Sequence, residues 1–130
     1  MPRYVILEHD WPEQHWDFML EAGPVLETWK LSAAPAPGIS IPAEKSFDHR
    51  LMYLDYEGPI SGDRGTVIRW DAGSYEMLSE TSRARSTQEN DRRVIQLRGT
   101  RMQGKVEWTC QCEPNWIIRF SGEDGFASAP

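Results

Sequence analysis

The feature that most constrains the fold is a series of short segments in which apolar and polar residues alternate. An alternation with a period of two places the two sets of side chains on opposite faces of a β-strand. It is clearest at residues 104–112, where one face carries Val106, Trp108, Cys110 and Cys112. Similar runs occur at residues 3–8, 14–21, 25–31, 66–70, 74–78, 93–98 and 115–121. Eight short strands predict a mainly β protein, either an antiparallel barrel or a sandwich.

The segments between these runs are rich in Gly, Pro, Asp and Asn, which favour tight turns. Residues 71–73 are predicted to form one such turn. Residues 33–42, rich in Pro and Ala, and the polar residues 79–92 are predicted to be loops. Residues 122–130 are predicted to be a flexible tail.

One segment, residues 48–56, departs from the strand pattern. Its apolar residues are spaced three and four apart, which predicts a short helix with Asp48 as its N-cap. In such a helix His49 and Tyr53 lie one above the other on the same face. The segment therefore combines a histidine and a tyrosine in one polar group.

The composition limits the class of protein. A chain of 130 residues with 39% hydrophobic content predicts one domain over residues 1–130. The absence of a long apolar run predicts a cytoplasmic protein with no membrane partner. Cys110 and Cys112 are predicted to be reduced core residues. The net charge of −6 argues against nucleic-acid contact over the whole surface, although a local basic groove stays open.

The most informative stretch begins at His9. If a strand starts near residue 14, His15 and Asp17 point to the same open face. The opposite face is apolar and is predicted to meet the core, through Trp16, Phe18 and Leu20. Pro12 turns the chain, so that His9 can fold back beside the other two polar side chains.

Two imidazoles and a carboxylate form a donor set that suits manganese, iron or zinc and leaves coordination positions free. The alternative is that these are ordinary polar residues of an edge strand, and periodicity alone does not decide between the two. The distribution of histidine favours a site, because all three histidines of the chain fall in the two polar groups, at His9, His15 and His49.

The same residues form a pattern that resembles a known family. His9-Asp10, His15, Asp17 and Leu20-Glu21 follow the order H-D-x4-H-x-D-x-x-L-E, which is typical of the 3′-phosphoesterase domain attached to bacterial ATP-dependent DNA ligase D and also found alone. Residues 25–29, 48–58 and 65–73 resemble three further blocks of that family. The resemblance extends from about Tyr4 to Phe120.

The resemblance implies a closed antiparallel β-barrel of about eight strands with one short helix. It also implies Mn²⁺ held by His9, His15 and Asp17, with Zn²⁺ or another divalent ion open, and His49 and Tyr53 next to the reacting phosphate. Family members remove a 3′-terminal phosphate or ribonucleotide from DNA primer ends. We therefore expect DNA 3′ ends, such as a primer-template, as partners, with a DNA ligase or polymerase acting beside the protein.

The chain departs from the family at two positions that contact phosphate. Met19 stands where active members usually carry Arg, and Ala33 stands where they carry Lys. Phosphoryl transfer depends on cations that neutralise charge on the phosphate oxygens. These losses keep a second reading open, a weakly active or inactive member that binds metal and a nucleic-acid end, or a less anionic substrate.

Other basic residues are candidates for the missing contacts. Lys45 and Arg50, together with Lys30, could reach in from different backbone positions because their side chains are long. Arg69 and Arg119 could line a nucleic-acid groove, or could simply be exposed strand residues. A third class, an adaptor that uses Trp11 or Trp16 at an interface, is also open.

Overall fold

The computed structural model describes residues 2–81 and 92–121. Within these residues the chain forms ten strands and one 3₁₀ turn, the latter at Leu51–Leu54. The strands are β1 (Arg3–His9), β2 (His15–Ala22), β3 (Val25–Leu31), β4 (Ser40–Lys45), β5 (His49–Arg50), β6 (Gly58–Pro59), β7 (Thr66–Thr81), β8 (Arg92–Gly99), β9 (Gln103–Cys112) and β10 (Asn115–Phe120). No helix in this part of the chain is long and apolar enough to cross a membrane.

Eight of the strands close into an antiparallel barrel, as predicted. Their order is β1-β2-β3-β4-β10-β9-β8-β7, and β7 pairs with β1 to complete the circle. Closure removes the free edges that an open sheet would expose. The two shortest strands lie outside this circle, with β5 paired to β3 and β6 paired to β7.

The barrel interior is filled by buried side chains from all eight strands, and aromatic residues dominate its middle. The ring centroids of Phe18 and Trp108 are 4.9 Å apart, and those of Trp29 and Trp108 are 5.6 Å apart. Both pairs have edge-to-face geometry, which suits the charge distribution of aromatic rings. The aromatic residues thus form a packed centre that sets the positions of the surrounding strands.

A second buried group lies on the outside of the barrel wall, and we call it the outer cluster. Its members are Val5, Leu7, Met19, Leu26, Leu54 and Val67. Strands β1 and β2 supply alternate residues to the two groups, so Tyr4 and Ile6 face the interior while Val5 and Leu7 face the outer cluster. Leu54 belongs to the 3₁₀ turn, which the outer cluster thereby attaches to the barrel.

Strand β4 corrects the prediction of a loop over residues 33–42, because the strand begins at Ser40. Ile41 and Ala43 point into the barrel interior, while Pro42 lies on the exposed face. The Pro-rich composition concealed a two-residue alternation that is only a few residues long.

The long strand β7 corrects the predicted turn at residues 71–73, because it continues through them. The pairing of β7 with β1 shifts register between Ile6 and Leu7, so a bulge rather than a turn forms here. Asp71 is buried, and its carboxylate accepts hydrogen bonds from the Tyr4 hydroxyl at 2.6 Å and from two backbone amides. A polar residue that looked like a turn signal is thus a satisfied interior residue.

The predicted loop at residues 79–92 is wrong at both ends, because β7 extends to Thr81 and β8 starts at Arg92. Residues 82–91 and the predicted tail at residues 122–130 lie outside the described residues. Neither cysteine is in a disulfide within the described part of the chain, in agreement with the prediction of reduced residues, and Cys110 is buried. Cys112 is exposed, which corrects its placement in the core, because it lies at the end of β9 beside the turn into β10.

The helix predicted over residues 48–56 is reduced to the four-residue 3₁₀ turn, and Asp48 does not cap it. The turn begins after Arg50 without a side-chain cap, because His49 and Arg50 are held extended by pairing with β3. Asp48 instead lies 3.7 Å from the ammonium group of Lys45. Tertiary pairing therefore overrides the local helical spacing.

Candidate metal centre

The first two strands bring the three predicted metal ligands together. His9 and His15 are directly opposite each other in the β1–β2 pairing, and Asp17 follows on the same face of β2. One donor atom from each residue lies within 4.8 Å of the other two. Asp17 is only 6% exposed, which corrects the prediction of an open face. The outer cluster covers much of this face, and the three ligands lie at its border.

Backbone carbonyls orient both imidazole rings. His9 Nε2 lies 2.8 Å from the carbonyl oxygen of Arg64, and His15 Nδ1 lies 2.8 Å from that of Glu13. Because a carbonyl oxygen only accepts, each of these nitrogens carries the proton that it donates. In the neutral rings the other two nitrogens, His9 Nδ1 and His15 Nε2, therefore present lone pairs.

The two lone pairs point towards one carboxylate oxygen. The distances to Asp17 Oδ2 are 3.7 Å from His9 Nδ1 and 3.2 Å from His15 Nε2. Three acceptors that converge without a proton between them repel one another unless a cation lies among them. Two imidazole nitrogens and a carboxylate oxygen, with both rings fixed from behind by carbonyls, fit a divalent metal ion.

The pKa values of the site also favour positive charge at this point. Burial acts to raise the pKa of Asp17, but the interactions with His15 and His9 outweigh it and lower this pKa to about 2. Asp17 is therefore ionised at neutral pH. The pKa of His9 is raised, chiefly by its interaction with the Asp17 carboxylate and against the burial of its ring.

His49 and Tyr53 line the same cleft as the three candidate ligands. The Nδ1 atom of His49 is 3.0 Å from the carbonyl oxygen of Phe47 and 3.0 Å from the hydroxyl oxygen of Thr28. The Thr28 hydroxyl itself donates to the carbonyl of Leu26, so His49 Nδ1 is the donor and Nε2 is left available. Burial lowers the pKa of His49. The rings of His49 and Tyr53 are 5.8 Å apart at their centroids.

A cleft of about 450 Å³ joins the two groups of polar residues. Its walls include the three ligands, His49 and Tyr53, and its cationic members are Lys30, Arg50 and Arg64. The volume lies within the range of small-molecule sites, roughly 300–1,000 Å³. The cleft can therefore hold a substrate that contacts the ligands and His49 at the same time.

Two of the predicted phosphate-binding residues do not line this cleft. Lys45 lies over the ring of Trp29, 5.2 Å from its centroid, and beside Asp48. Arg69 is exposed on β7, where its backbone amide donates to Glu57. Arg50 and Lys30 are predicted basic residues that the fold does bring to the cleft.

Sequence reasoning missed the groups that support the site. The carbonyls of Arg64 and Glu13 carry no residue signature, since any amino acid offers a carbonyl. Thr28 looked like an ordinary strand residue, although it is completely buried and touches His49. The sequence signal that could have located this support is the family-like block at residues 65–73. It begins directly after Arg64, whose carbonyl holds His9.

The fold is an antiparallel barrel with a His–His–Asp cluster in a cleft on its outer face, and comparison with known proteins gives the family. The family model for the DNA ligase D 3′-phosphoesterase domain matches residues 7–109. The chain belongs to this family.

Curated relatives include the multifunctional non-homologous end joining protein LigD of Pseudomonas aeruginosa. It is 35% identical over 83 residues, which cover 60% of this chain and 10% of that protein. The multifunctional non-homologous end joining DNA repair protein LigD of Mycobacterium tuberculosis strain H37Rv is 33% identical over 107 residues, which cover 78% of this chain and 14% of that protein. The chain thus corresponds to a small part of these relatives.

Proposed function

We propose that this chain is a metal-dependent phosphoesterase that removes a 3′-terminal phosphate or ribonucleotide from DNA ends during repair. Membership of the family supports the reaction class. The observation that carries the proposal is the orientation of His9 and His15 by carbonyls, so that both lone pairs and the Asp17 carboxylate face one point. A cation among these three atoms would remove the repulsion between them, which supports a metal site.

The proposed cofactor is Mn²⁺, held by His9, His15 and Asp17. The same donor set accepts Zn²⁺ or another divalent ion, so the choice of ion rests on the family. A divalent ion bound there supplies Lewis-acid polarisation of a phosphoryl oxygen.

His49 is proposed to move the proton. Because its Nδ1 is held by Phe47 and Thr28, Nε2 is the ring nitrogen that can exchange a proton with the substrate or its leaving oxygen. Tyr53 is proposed to donate a hydrogen bond to a phosphate oxygen. Its hydroxyl has no hydrogen-bond partner within the described part of the chain, and its ring lines the cleft.

Lys30 and Arg50 are proposed to replace the missing phosphate contacts. Lys30 is directly opposite Asp17 in the β2–β3 pairing, which places both side chains on the same face. Neither cation forms an ion pair with another residue that the structure describes, whereas the guanidinium of Arg64 is held by Ser61. Lys30 and Arg50 are thus the cleft cations that are available to an anionic substrate.

The proposed partners follow from this reaction. The substrate is a DNA 3′ end, and a DNA ligase or polymerase would act on the end after it has been processed. A repair role of this kind would place the chain with the DNA in the cytoplasm.

A second candidate function is binding of metal and a DNA end without turnover. It is favoured by Met19, which occupies the position of the family's Arg and is only 1% exposed within the outer cluster. Loss of one positioned donor costs roughly 2.7–4 kcal/mol of transition-state stabilisation. The second candidate therefore holds if Lys30 and Arg50 do not supply that stabilisation.

The test is release of phosphate from a 5′-labelled primer-template with a 3′-phosphate, in Mn²⁺ and in chelator. We expect release in Mn²⁺ alone, loss of release in Asp17→Asn, and a decrease of about 100- to 1,000-fold in Lys30→Gln. Lys105→Gln is the matched control, since Lys105 is exposed on β9 and does not line the cleft. Metal-dependent binding of the primer-template without release of phosphate or nucleotide would reject the enzyme in favour of the second candidate.

A further inference from the structure

Two exposed aromatic side chains lie at the mouth of the cleft. Phe47 is 75% exposed, and Trp11 is 42% exposed. Both line the cleft that holds the metal ligands. Large apolar groups left in water are often part of a binding surface, and here they border a polar site.

The ring of Phe47 lies flat on the ring of His49. The centroids are 4.6 Å apart and the planes differ by 9°. Because only one face of Phe47 can cover His49, its large exposed area leaves the other face open to a second planar group. The open face therefore continues a stack that begins at a proposed catalytic residue.

The position of Trp11 is fixed by the segment that precedes β7. Asp10 Oδ1 accepts a hydrogen bond of 2.8 Å from the amide of Thr66. Gly65, with a φ of +78°, lies so close that a Cβ there would be 2.3 Å from Asp10 Oδ1 and 2.5 Å from the Cβ of Trp11. Close packing of this kind holds Trp11 at the rim without a covering partner.

We propose that Phe47 and Trp11 form a stacking site for the base of the 3′-terminal nucleotide, while its phosphate is at the metal centre. This inference rests on the proposed function and adds to it a subsite that recognises the terminal base. Aromatic side chains bind bases of any sequence, because every base presents a π-face. The site would therefore select nucleotide ends over phosphate esters that lack a base, without selecting a sequence.

Phe47 could instead serve only to hold His49, and the test has to separate the two roles. The probe is a 5′-fluorescein pentanucleotide with a non-hydrolysable 3′-methylenephosphonate, and its partner has an abasic terminal residue but the same phosphonate. Fluorescence anisotropy in Mn²⁺ gives the Kd of each. We expect the base to tighten binding roughly 5- to 100-fold in the wild-type protein.

Substitutions should remove this preference selectively. Phe47→Ala and Trp11→Ala are expected to weaken binding of the base-bearing probe and leave the abasic probe unchanged, and Phe47→Tyr is expected to retain the preference. Met52→Ala is the matched control, since Met52 is 47% exposed but does not line the cleft. Exposed positions such as Phe47 can be substituted with little effect on folding.

Three outcomes would overturn the stacking site. Equal Kd values for the two probes would reject it and leave the proposed function intact. Equal weakening of both probes in Phe47→Ala would show that Phe47 only positions His49. Failure of both probes to bind would reject the proposed function, and the stacking site with it.

Discussion

The barrel interior and the outer cluster share strands, yet they differ in composition, size and position relative to the candidate site. The interior collects buried side chains from all eight strands, and aromatic residues dominate its middle. The outer cluster is small, involves one side of the barrel, and borders the metal centre. Side chains of β2 show the contrast, since Phe18 and Leu20 belong to the interior, and Met19 and Asp17 to the opposite face.

The difference shows how a barrel wall carries a site on its outside. The closed interior fixes the β1–β2 pairing and hence the distance between His9 and His15. The outer cluster attaches the 3₁₀ turn through Leu54 and so positions Tyr53, while pairing of β5 with β3 positions His49 in the same cleft. The barrel interior and the candidate site are therefore expected to respond to different substitutions.

The largest effect on this contrast is expected from Met19→Arg. It places a guanidinium among apolar side chains of the outer cluster, where Met19 is buried. We expect the free energy of unfolding to fall by roughly 3–5 kcal/mol, because moving a guanidinium from water into a mainly apolar cluster is costly. Chemical denaturation measures this loss, with Met19→Leu as the volume-matched control, expected to cost less than about 1.5 kcal/mol. A fully stable Met19→Arg protein would show that this side of the barrel is open.

A change inside the barrel should leave the site intact. Tyr4→Phe removes the hydrogen bond to the buried Asp71, which keeps its two backbone donors. We expect a loss of about 1.5–3 kcal/mol in the free energy of unfolding, as for hydrogen bonds to charged groups. Affinity for Mn²⁺, measured by calorimetry, should be unchanged in Tyr4→Phe. A parallel loss of metal affinity would mean that the interior and the site are coupled.

The segment before β7 connects the barrel to the candidate site. Substitution of Gly65, with Gly23 as a control, tests this connection. Gly65→Ala forces a Cβ against Asp10 and Trp11 and should displace the neighbouring Arg64 carbonyl that holds His9. We expect metal affinity to fall about 10- to 100-fold, as when a supporting partner of a ligand is lost.

Gly23→Ala is the matched control for backbone strain. Gly23 also has a positive φ, of +63°, but a Cβ there meets nothing within 4 Å. It should lower stability by a similar conformational cost while leaving metal affinity unchanged. If both variants lost metal affinity equally, support of His9 by the Arg64 carbonyl would be rejected.

The smallest expected effect is at Thr28, whose hydroxyl contacts His49. Thr28→Val removes the hydroxyl that touches His49 Nδ1 and keeps the shape of the side chain. We expect turnover to fall roughly 2- to 12-fold, the equivalent of one ordinary hydrogen bond, with metal affinity unchanged. Thr109→Val, half-buried on β9, is the control. A change in metal affinity in Thr28→Val would contradict the division between ligands and His49.

Much of the barrel could be predicted because its strands have one solvent-facing side, which gives an alternation of apolar and polar residues. The alternation at β9 is clear, since Val106 and Trp108 face the interior and their neighbours do not. The strand that begins at Ser40 could not be predicted because its segment is rich in proline. Asp71 suggested a turn, although its carboxylate is hydrogen-bonded inside the barrel. Local composition cannot show which hydrogen bonds a polar residue finds after folding.

The convergence of the three candidate ligands could be predicted for a related reason, because a two-residue spacing places His15 and Asp17 on one face and the hairpin returns His9 beside them. The choice between Lys30 and Lys45 depends on strand pairing. The two-residue turn between β2 and β3 sets the register that places Lys30 opposite Asp17. Lys45 is placed by the β3–β4 pairing, which joins strands separated by a longer and Pro-rich segment whose pairing the local sequence does not indicate.

The most direct test of the metal centre is calorimetric titration of Mn²⁺ into metal-free protein. We predict one ion per chain in the wild-type protein and in His49→Ala, and no binding at this site in His9→Ala or Asp17→Ala. Binding that persists unchanged in both ligand variants, or no binding of any divalent ion by the wild type, would contradict a site formed by His9, His15 and Asp17.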